Sequence, residues 1–140
     1  MTWSFRTAFT KYAHLDGAAW HYADDDGLTK EKYKTWSQWN GYGRVQVQSG
    51  GWDGMRSLTE HRFLRGMDGD RKNAAGGTKS VTVPDGEGGS LTDHEAFQGT
   101  EFKTIDYTAP GGTVESKTVS TPWRKETAKR VRHWARSPPT

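Results

Sequence analysis

The sequence predicts an all-β fold in which antiparallel hairpins form a curved, open sheet, with long glycine-rich loops and at most one short helix. Three observations predict this class. The chain of 140 residues contains 17 glycines, which divide it into short segments. Several of these segments alternate between apolar and polar residues, which is the period of a strand with one buried face. Apolar residues rarely recur at the spacing of a helix face.

Five segments carry the strand signal. They are 43–49 (GRVQVQS), 57–65 (SLTEHRFLR), 78–84 (TKSVTVP), 101–108 (EFKTIDYT) and 113–121 (TVESKTVST). In the first, Val45 and Val47 share one face, while the glutamines that alternate with them share the other. The β-branched and aromatic residues of 101–108 fit a pleated surface. The APGG sequence at 109–112 predicts a hairpin turn between the last two strands.

The best helix signal lies in LTDHEAFQG, residues 91–99. Thr92 is placed to cap this segment, and Glu95 follows three residues later, as in a capping box. Gly99 is a suitable residue to end it. The sequence therefore predicts a helix of one or two turns here.

The chain is predicted to form a single β region over residues 1–134, followed by a disordered tail at 135–140. Two long loops rich in glycine and aspartate are predicted at 66–77 and 85–92. The segment 128–136 is predicted to be a final strand or a short helix.

Composition predicts a thin core that large rings must fill. Hydrophobic residues make up 31% of the chain, with 7 Trp, 5 Tyr and 5 Phe. A typical globular domain has roughly 45–50% when glycine is counted. Each enclosed ring buries about 150–250 Å². We therefore expect low stability for the isolated chain.

Charge and cysteine content narrow the functional classes. A net charge of +3 is mild, so we expect no nucleic-acid partner. The absence of cysteine excludes disulfides and thiolate chemistry. No apolar run approaches the ~18 residues of a membrane span, and the first residues are too polar for a signal peptide. We expect no membrane association, and a cytoplasmic location if the chain is expressed alone.

The aromatic residues between Ala19 and Gly43 allow two interpretations. Their rings either form the interior of the sheet or form an exposed platform that stacks on sugar rings. The platform would consist of Trp20, Tyr22, Trp36, Trp39 and Tyr42. The core interpretation is favoured, because the chain has a single isoleucine and something must fill its interior.

Neither a metal site nor a cofactor site is predicted. The acidic run that ends at Gly27 resembles a calcium loop, but the EF-hand pattern would place Tyr22 at position 1 and Tyr33 at position 12. Asp68 and Asp70 are followed by Arg71 and Lys72, which repel a cation. Acidic turns are the favoured interpretation.

No catalytic motif is present, and we expect no enzymatic activity. The chain lacks the HExxH, GxSxG and phosphate-loop patterns. Glu60, His61, Arg62 and Arg65 suggest a nuclease cluster, but a solvated strand face is favoured. The basic segment 124–136, near Trp123 and Trp134, suggests phosphate binding with base stacking, but a charged edge strand is favoured.

A repeated pattern gives a more specific indication. WNGYGRV contains an aromatic residue, an amide and then Gly-Arg-aliphatic, at Trp39, Asn40, Gly43, Arg44 and Val45. A looser copy lies at Tyr22, Asp24 and Gly27. The two glycines lie 16 residues apart in the sequence. Each copy predicts a strand that ends in the aromatic residue, an Asx-type turn, a glycine with positive φ, and a new strand.

This pattern resembles the YD repeat of bacterial Rhs proteins, Tyr-Asp-x-x-Gly-Arg-Leu, with Trp39 and Asn40 in place of Tyr and Asp. The wider run from Asp16 to Val45, followed by FLRGMDGDR, is similar to a segment of long actinobacterial Rhs/YD-repeat proteins. The similarity extends from about Lys11 to Trp134.

The resemblance implies a structural role. In that family the repeats form a β-sheet spiral, a shell around a C-terminal toxin in one large secreted or cell-surface polypeptide of the polymorphic-toxin type. The chain is too short to close such a shell, so the resemblance implies a fragment or a short relative. Its partners would be the rest of a larger Rhs-type polypeptide, or copies of itself joined through open sheet edges. Its location would then be the cell surface or the exterior. A carbohydrate-binding β-module is the alternative.

Overall fold

The computed structural model describes residues 8–24, 27–51 and 54–125. These residues form eleven strands and two single 3-10 turns. The strands are β1 Phe9–His14, β2 Trp20–His21, β3 Gln38–Trp39, β4 Arg44–Gly50, β5 Arg56–Phe63, β6 Arg71–Asn73, β7 Gly76–Thr78, β8 Thr82–Pro84, β9 Ser90–Thr92, β10 Glu101–Tyr107 and β11 Val114–Val119. The 3-10 turns are Glu31–Tyr33 and Glu95–Phe97. No helix in these ranges is long and apolar enough to cross a membrane.

One five-stranded antiparallel sheet dominates the fold, in the order β1-β4-β5-β10-β11. Its central strand, β5, pairs antiparallel with β10, with Ile105 opposite Glu60. Strands β1 and β11 are the edges of this open sheet within the described ranges. The fold is therefore all-β with sheets that do not close, as the sequence predicts.

Three short ribbons complete the described structure. They pair β2 with β3, β6 with β7, and β8 with β9, all antiparallel. The last two ribbons lie in the insertion 64–100, which connects the neighbouring sheet strands β5 and β10. The two ends of the insertion are joined by a backbone hydrogen bond, in which Leu64 N–H donates to the carbonyl of Thr100 at 2.9 Å.

The buried interior is small and has as many polar residues as apolar ones. The buried apolar residues are Ala19, Tyr22, Leu64, Met67, Phe102 and Ile105. The buried polar residues are His21, Asn40, Glu60, Asp70, Asp93 and Lys103. Because a buried polar group without a partner is costly, the hydrogen bonds of this second set are central to the stability of the fold.

Four of the predicted strands are found with small shifts in their ends. They are β4, β5, β10 and β11. The APGG turn is also found: Gly112 N–H donates to the carbonyl of Ala109, and Gly111 has a φ of 78°. The segment 128–136 and the tail 135–140 lie outside the described residues.

The other predicted elements need correction. The predicted strand 78–84 is interrupted, because Lys79 N–H donates to the carbonyl of Asp70 and Val81 N–H to the Asp68 carboxylate. The predicted loop 66–77 contains β6 and the first part of β7, and the predicted loop 85–92 contains β9. The helix expected at 91–99 is one 3-10 turn, capped by His94 rather than Thr92.

Candidate functional site

The repeat motif at residues 39–45 links two strands. Trp39 ends β3 and is 56% exposed, whereas the neighbouring Asn40 is buried. Arg44 begins β4, and Val45 follows it in that strand. The motif therefore joins the small β2–β3 ribbon to the large sheet.

Asn40 is the centre of a polar network. Its Nδ2 donates to the carbonyl of Arg65 at 2.8 Å. Its Oδ1 accepts from the side-chain amides of Gln38 at 3.3 Å and Gln98 at 3.0 Å. These bonds connect the segment after β3 to the insertion. The Asn40 amide therefore holds two parts of the fold together.

The glycines of the motif differ from the expectation. The positive φ, expected at Gly43, is found at Gly41, with a value of 80°. A Cβ at Gly43 would lie 2.7 Å from Asp16 Oδ2, so a larger residue there would displace this carboxylate. The Asp16 carboxylate accepts from the backbone N–H groups of Gly43 and Arg44 at 3.1 and 3.2 Å.

The looser copy of the motif has a different structure. Tyr22 is buried; its N–H donates to Asp70 and its hydroxyl to Glu31, both at 2.9 Å. Burial and the hydrogen bond to Glu31 raise the pKa of the Tyr22 hydroxyl. Gly27 has a φ of 71°, but residues 27–30 form no strand, so the expected second hairpin unit is not formed.

The five rings of the predicted platform separate into two groups. Trp20 and Trp39 are 48% and 56% exposed and lie directly opposite each other in the β2–β3 ribbon. Tyr42 contacts Trp39 edge-on, with ring centroids 6.1 Å apart, and stacks on His14 at 4.0 Å. The exposed Trp20 and Trp39, together with the half-buried Tyr42 beside Trp39, are called the exposed aromatic surface below.

The other two rings, the buried Tyr22 and the half-buried Trp36, form the second group. Tyr22 meets Trp36 edge-on, with centroids 5.3 Å apart. Trp36 Nε1 donates to the carbonyl of Arg71, whose guanidinium lies 4.7 Å from the Tyr22 ring centroid. The sequence pattern does not separate the two groups, because strand ends and loops give no alternation to read.

The aspartates near the predicted turns bind backbone and lysine groups. Asp70, fully buried, accepts from Tyr22 N–H and, at 3.2 Å, from Lys79 Nζ. Asp68 Oδ1 accepts from Val81 N–H at 2.8 Å. Within the described ranges, no three His, Asp or Glu residues are grouped to hold a metal ion. Asp25 and Asp26 lie outside those ranges.

The suspected nuclease cluster is divided, because His61 lies on the opposite face of the sheet from Glu60 and Arg62. Glu60 accepts from Arg62 Nε at 2.8 Å and from Arg44 Nη2 at 3.1 Å. His61 points to the opposite face of the sheet, where its Nδ1 lies 2.6 Å from Glu101. Burial raises the pKa of Glu60, but the hydrogen bonds from Arg62 and Arg44 outweigh it, so the pKa lies below its usual 4.5.

One important residue was not predicted. Asp93 is fully buried, and its carboxylate accepts from three successive backbone N–H groups, those of Arg65, Gly66 and Met67, at 2.7, 2.8 and 3.1 Å. The only sequence signal is the glycine at 66, which has a φ of 72° in the turn that Asp93 binds. Most of the basic segment 124–136 lies outside the described residues.

Comparisons with protein-family models, with curated proteins and with solved structures give no match to this chain.

Proposed function

We propose that this chain is a non-enzymatic structural β segment of the Rhs/YD-repeat type, which works by extending its sheet with strands of a larger polypeptide or of a second copy. The observation that carries the proposal is that its buried acidic and amide side chains form hydrogen bonds within the fold. Asn40, Asp70 and Asp93 are buried and bonded to groups of the scaffold. Residues of these types in a catalytic site would instead face a substrate.

The sheet edges support the same proposal. Strand β11 is exposed along its whole length, and Val114 and Val119 are 51% and 41% exposed. An exposed edge strand with apolar side chains is a template for pairing with another strand. The motif resemblance at Trp39–Val45 supports the assignment to the Rhs/YD-repeat type.

Sedimentation over a concentration series tests the proposed edge. We expect the wild-type chain to associate, and the double variant V114K/V119K to stay monomeric, because lysine at an edge opposes strand pairing. L28K is the matched control, since Leu28 is 89% exposed outside the strands. A wild-type chain that is monomeric at every concentration would contradict pairing of this edge with a second copy.

A carbohydrate-binding module is the second candidate, favoured by the exposed aromatic surface. Two half-exposed tryptophans side by side offer flat apolar faces to a sugar ring, whereas Tyr22 is buried and its ring is in contact with Trp36. Titration with soluble glycans, followed by tryptophan fluorescence, tests it. Binding that is lost in W20A and W39A but kept in W123A, which removes an 82% exposed ring elsewhere, would favour this candidate.

A further inference from the structure

A cleft of about 370 Å³ lies between β8 and the adjoining ends of β4, β5 and β10. Its apolar lining includes Phe63, Val81, Val83 and Phe102. Its charged lining consists of Arg44, Arg62, Arg65 and Asp16. The volume falls within the range of about 300–1,000 Å³ that is usual for small-molecule sites. An apolar wall with a small number of polar groups is also typical of such sites.

Two of the arginines share one carboxylate. Arg44 and Arg62 lie directly opposite each other on β4 and β5, where like charges destabilise a sheet. Glu60 bridges them, with bonds of 3.1 Å to Arg44 Nη2 and 2.8 Å to Arg62 Nε. The hydrogen bonds of the described residues therefore use one nitrogen of each guanidinium, and one carboxylate neutralises only one of the two charges.

The third arginine has no acidic partner in the part of the chain that the structure describes. Arg65 Nη1 donates to the carbonyl of Gly17 at 3.0 Å, which carries no formal charge. Arg65 Nε lies 3.4 Å from where a Gly43 Cβ would be, so the missing side chain leaves room for the guanidinium. Asp16 Oδ1 accepts from two backbone N–H groups, and Asp16 Oδ2 lies beside the same Cβ position without forming an ion pair with Arg65 within the described residues. Three arginines thus face two carboxylates, with one positive charge left over.

We propose that this cleft binds a small organic anion with a carboxylate or phosphate head and a flat apolar body. The head would accept from the guanidinium N–H groups that Glu60 and Gly17 leave unused, a geometry that suits oxyanions. The body would lie against Val83 of β8 and Val81, the residue two positions before it. This binding function goes beyond the structural role proposed above and does not depend on it.

Chemical-shift mapping of the ¹⁵N-labelled full chain tests the cleft, with benzoate and phenyl phosphate as probes and benzyl alcohol as the neutral analogue. We expect both anions to give saturable shifts at the amides of Gly43, Phe63, Val81 and Val83, and the tighter of the two to identify the preferred head. R65Q is expected to weaken binding roughly tenfold or more, as a lost charged hydrogen bond does. Benzyl alcohol shifts equal to those of benzoate would overturn the proposal.

Two variants that place opposite charges at one position of the cleft test the proposal even if R65Q fails to fold. Thr82 is exposed in β8 and lines the cleft, so T82K is expected to tighten and T82E to weaken anion binding, each by roughly twofold to fivefold. T118K and T118E, on the exposed strand β11 outside the cleft lining, are the matched controls. Affinities that do not differ between T82K and T82E would overturn the proposal.

Discussion

The five-stranded sheet and the insertion that joins β5 to β10 both bury carboxylates, but they satisfy them differently. In the sheet, Glu60 is bonded by the side chains of Arg44, Arg62 and Gln46. In the insertion, Asp93 is bonded by three backbone N–H groups. In the sheet, hydrogen bonds between neighbouring strands already satisfy the backbone N–H groups. The short ribbons of the insertion leave some N–H groups without a backbone acceptor, so side chains must accept their hydrogen bonds. Glu60 therefore has an electrostatic use and Asp93 a backbone-bonding use. Asp70, the other buried carboxylate of the insertion, combines the two, since it accepts from Tyr22 N–H and from Lys79 Nζ.

The largest expected effect comes from removing Asp93. D93A leaves three backbone amides without acceptors, and at about 1–3 kcal/mol for each buried group the loss in unfolding free energy should reach at least about 3 kcal/mol. Urea denaturation measures it. The control is D85A, since Asp85 also accepts from two backbone N–H groups, of Glu87 and Gly89, but in an exposed turn that water can reach. Equal losses in the two variants would show that the comparison is wrong.

A smaller effect is expected at Asn40. N40D restores the acid of the YD pattern but removes the N–H that donates to the Arg65 carbonyl, so we expect a loss of about 1–3 kcal/mol. Denaturation at neutral pH measures it. N73D is the control, because Asn73 uses only its Oδ1, as acceptor of Ala75 N–H. A stabilised N40D would contradict the network described for Asn40.

In the sheet, the role of Glu60 is tested best by the dependence of the unfolding free energy on pH. The pKa of Glu60 is below 4.5 in the folded state, so its contribution to stability is complete above pH 4.5 and is lost as the pH falls through that lowered value. E60Q should therefore flatten the fall in unfolding free energy on acidification. Denaturant titrations across the acid range check this, with E115Q on the exposed β11 as control. A slope as steep as that of the wild type would contradict the pairing with Arg44 and Arg62.

The smallest effect is expected at Glu87. Hydrogen bonds from Lys117 and Lys103 lower its pKa to about 2, but the group lies at the surface. The pair with the exposed Lys117 is screened by salt and contributes little. Lys103 is buried, but it also donates to the carbonyl of Asp85 and can still donate to the amide oxygen of a glutamine at position 87. We expect E87Q to change stability slightly at low salt and not at all at high salt. A large loss that persists in salt would assign Glu87 a structural importance equal to that of Glu60.

The sequence predicts the sheet better than the insertion, for a physical reason. Strand β4 alternates valine with glutamine in the sequence, and β10 is rich in aromatic and β-branched residues, so both carry a local strand signal. Asp93 accepts from residues 65–67, almost thirty positions away, and only the folded chain brings them together. The ribbons β2–β3 and β6–β7 have two or three residues per strand, too few to show a period.

The aromatic residues give the same lesson. Tyr22 and Trp20 are two residues apart, yet one is buried and the other is 48% exposed. The composition correctly indicates that rings contribute to the interior, as Tyr22 and Phe102 do. It does not indicate which ring turns outward, because that depends on how the β2–β3 ribbon sits on the insertion.

Amide hydrogen exchange at residues 65–67 tests the central claim most directly, namely that the acidic and amide residues of this chain hold its backbone together. If Asp93 accepts from these three amides, they should exchange only through global unfolding, with the same free energy as the amides of β5 and β10 that pair in the centre of the sheet. Exchange of residues 65–67 at the rate of an unprotected loop, while β5 and β10 stay protected, would contradict the account.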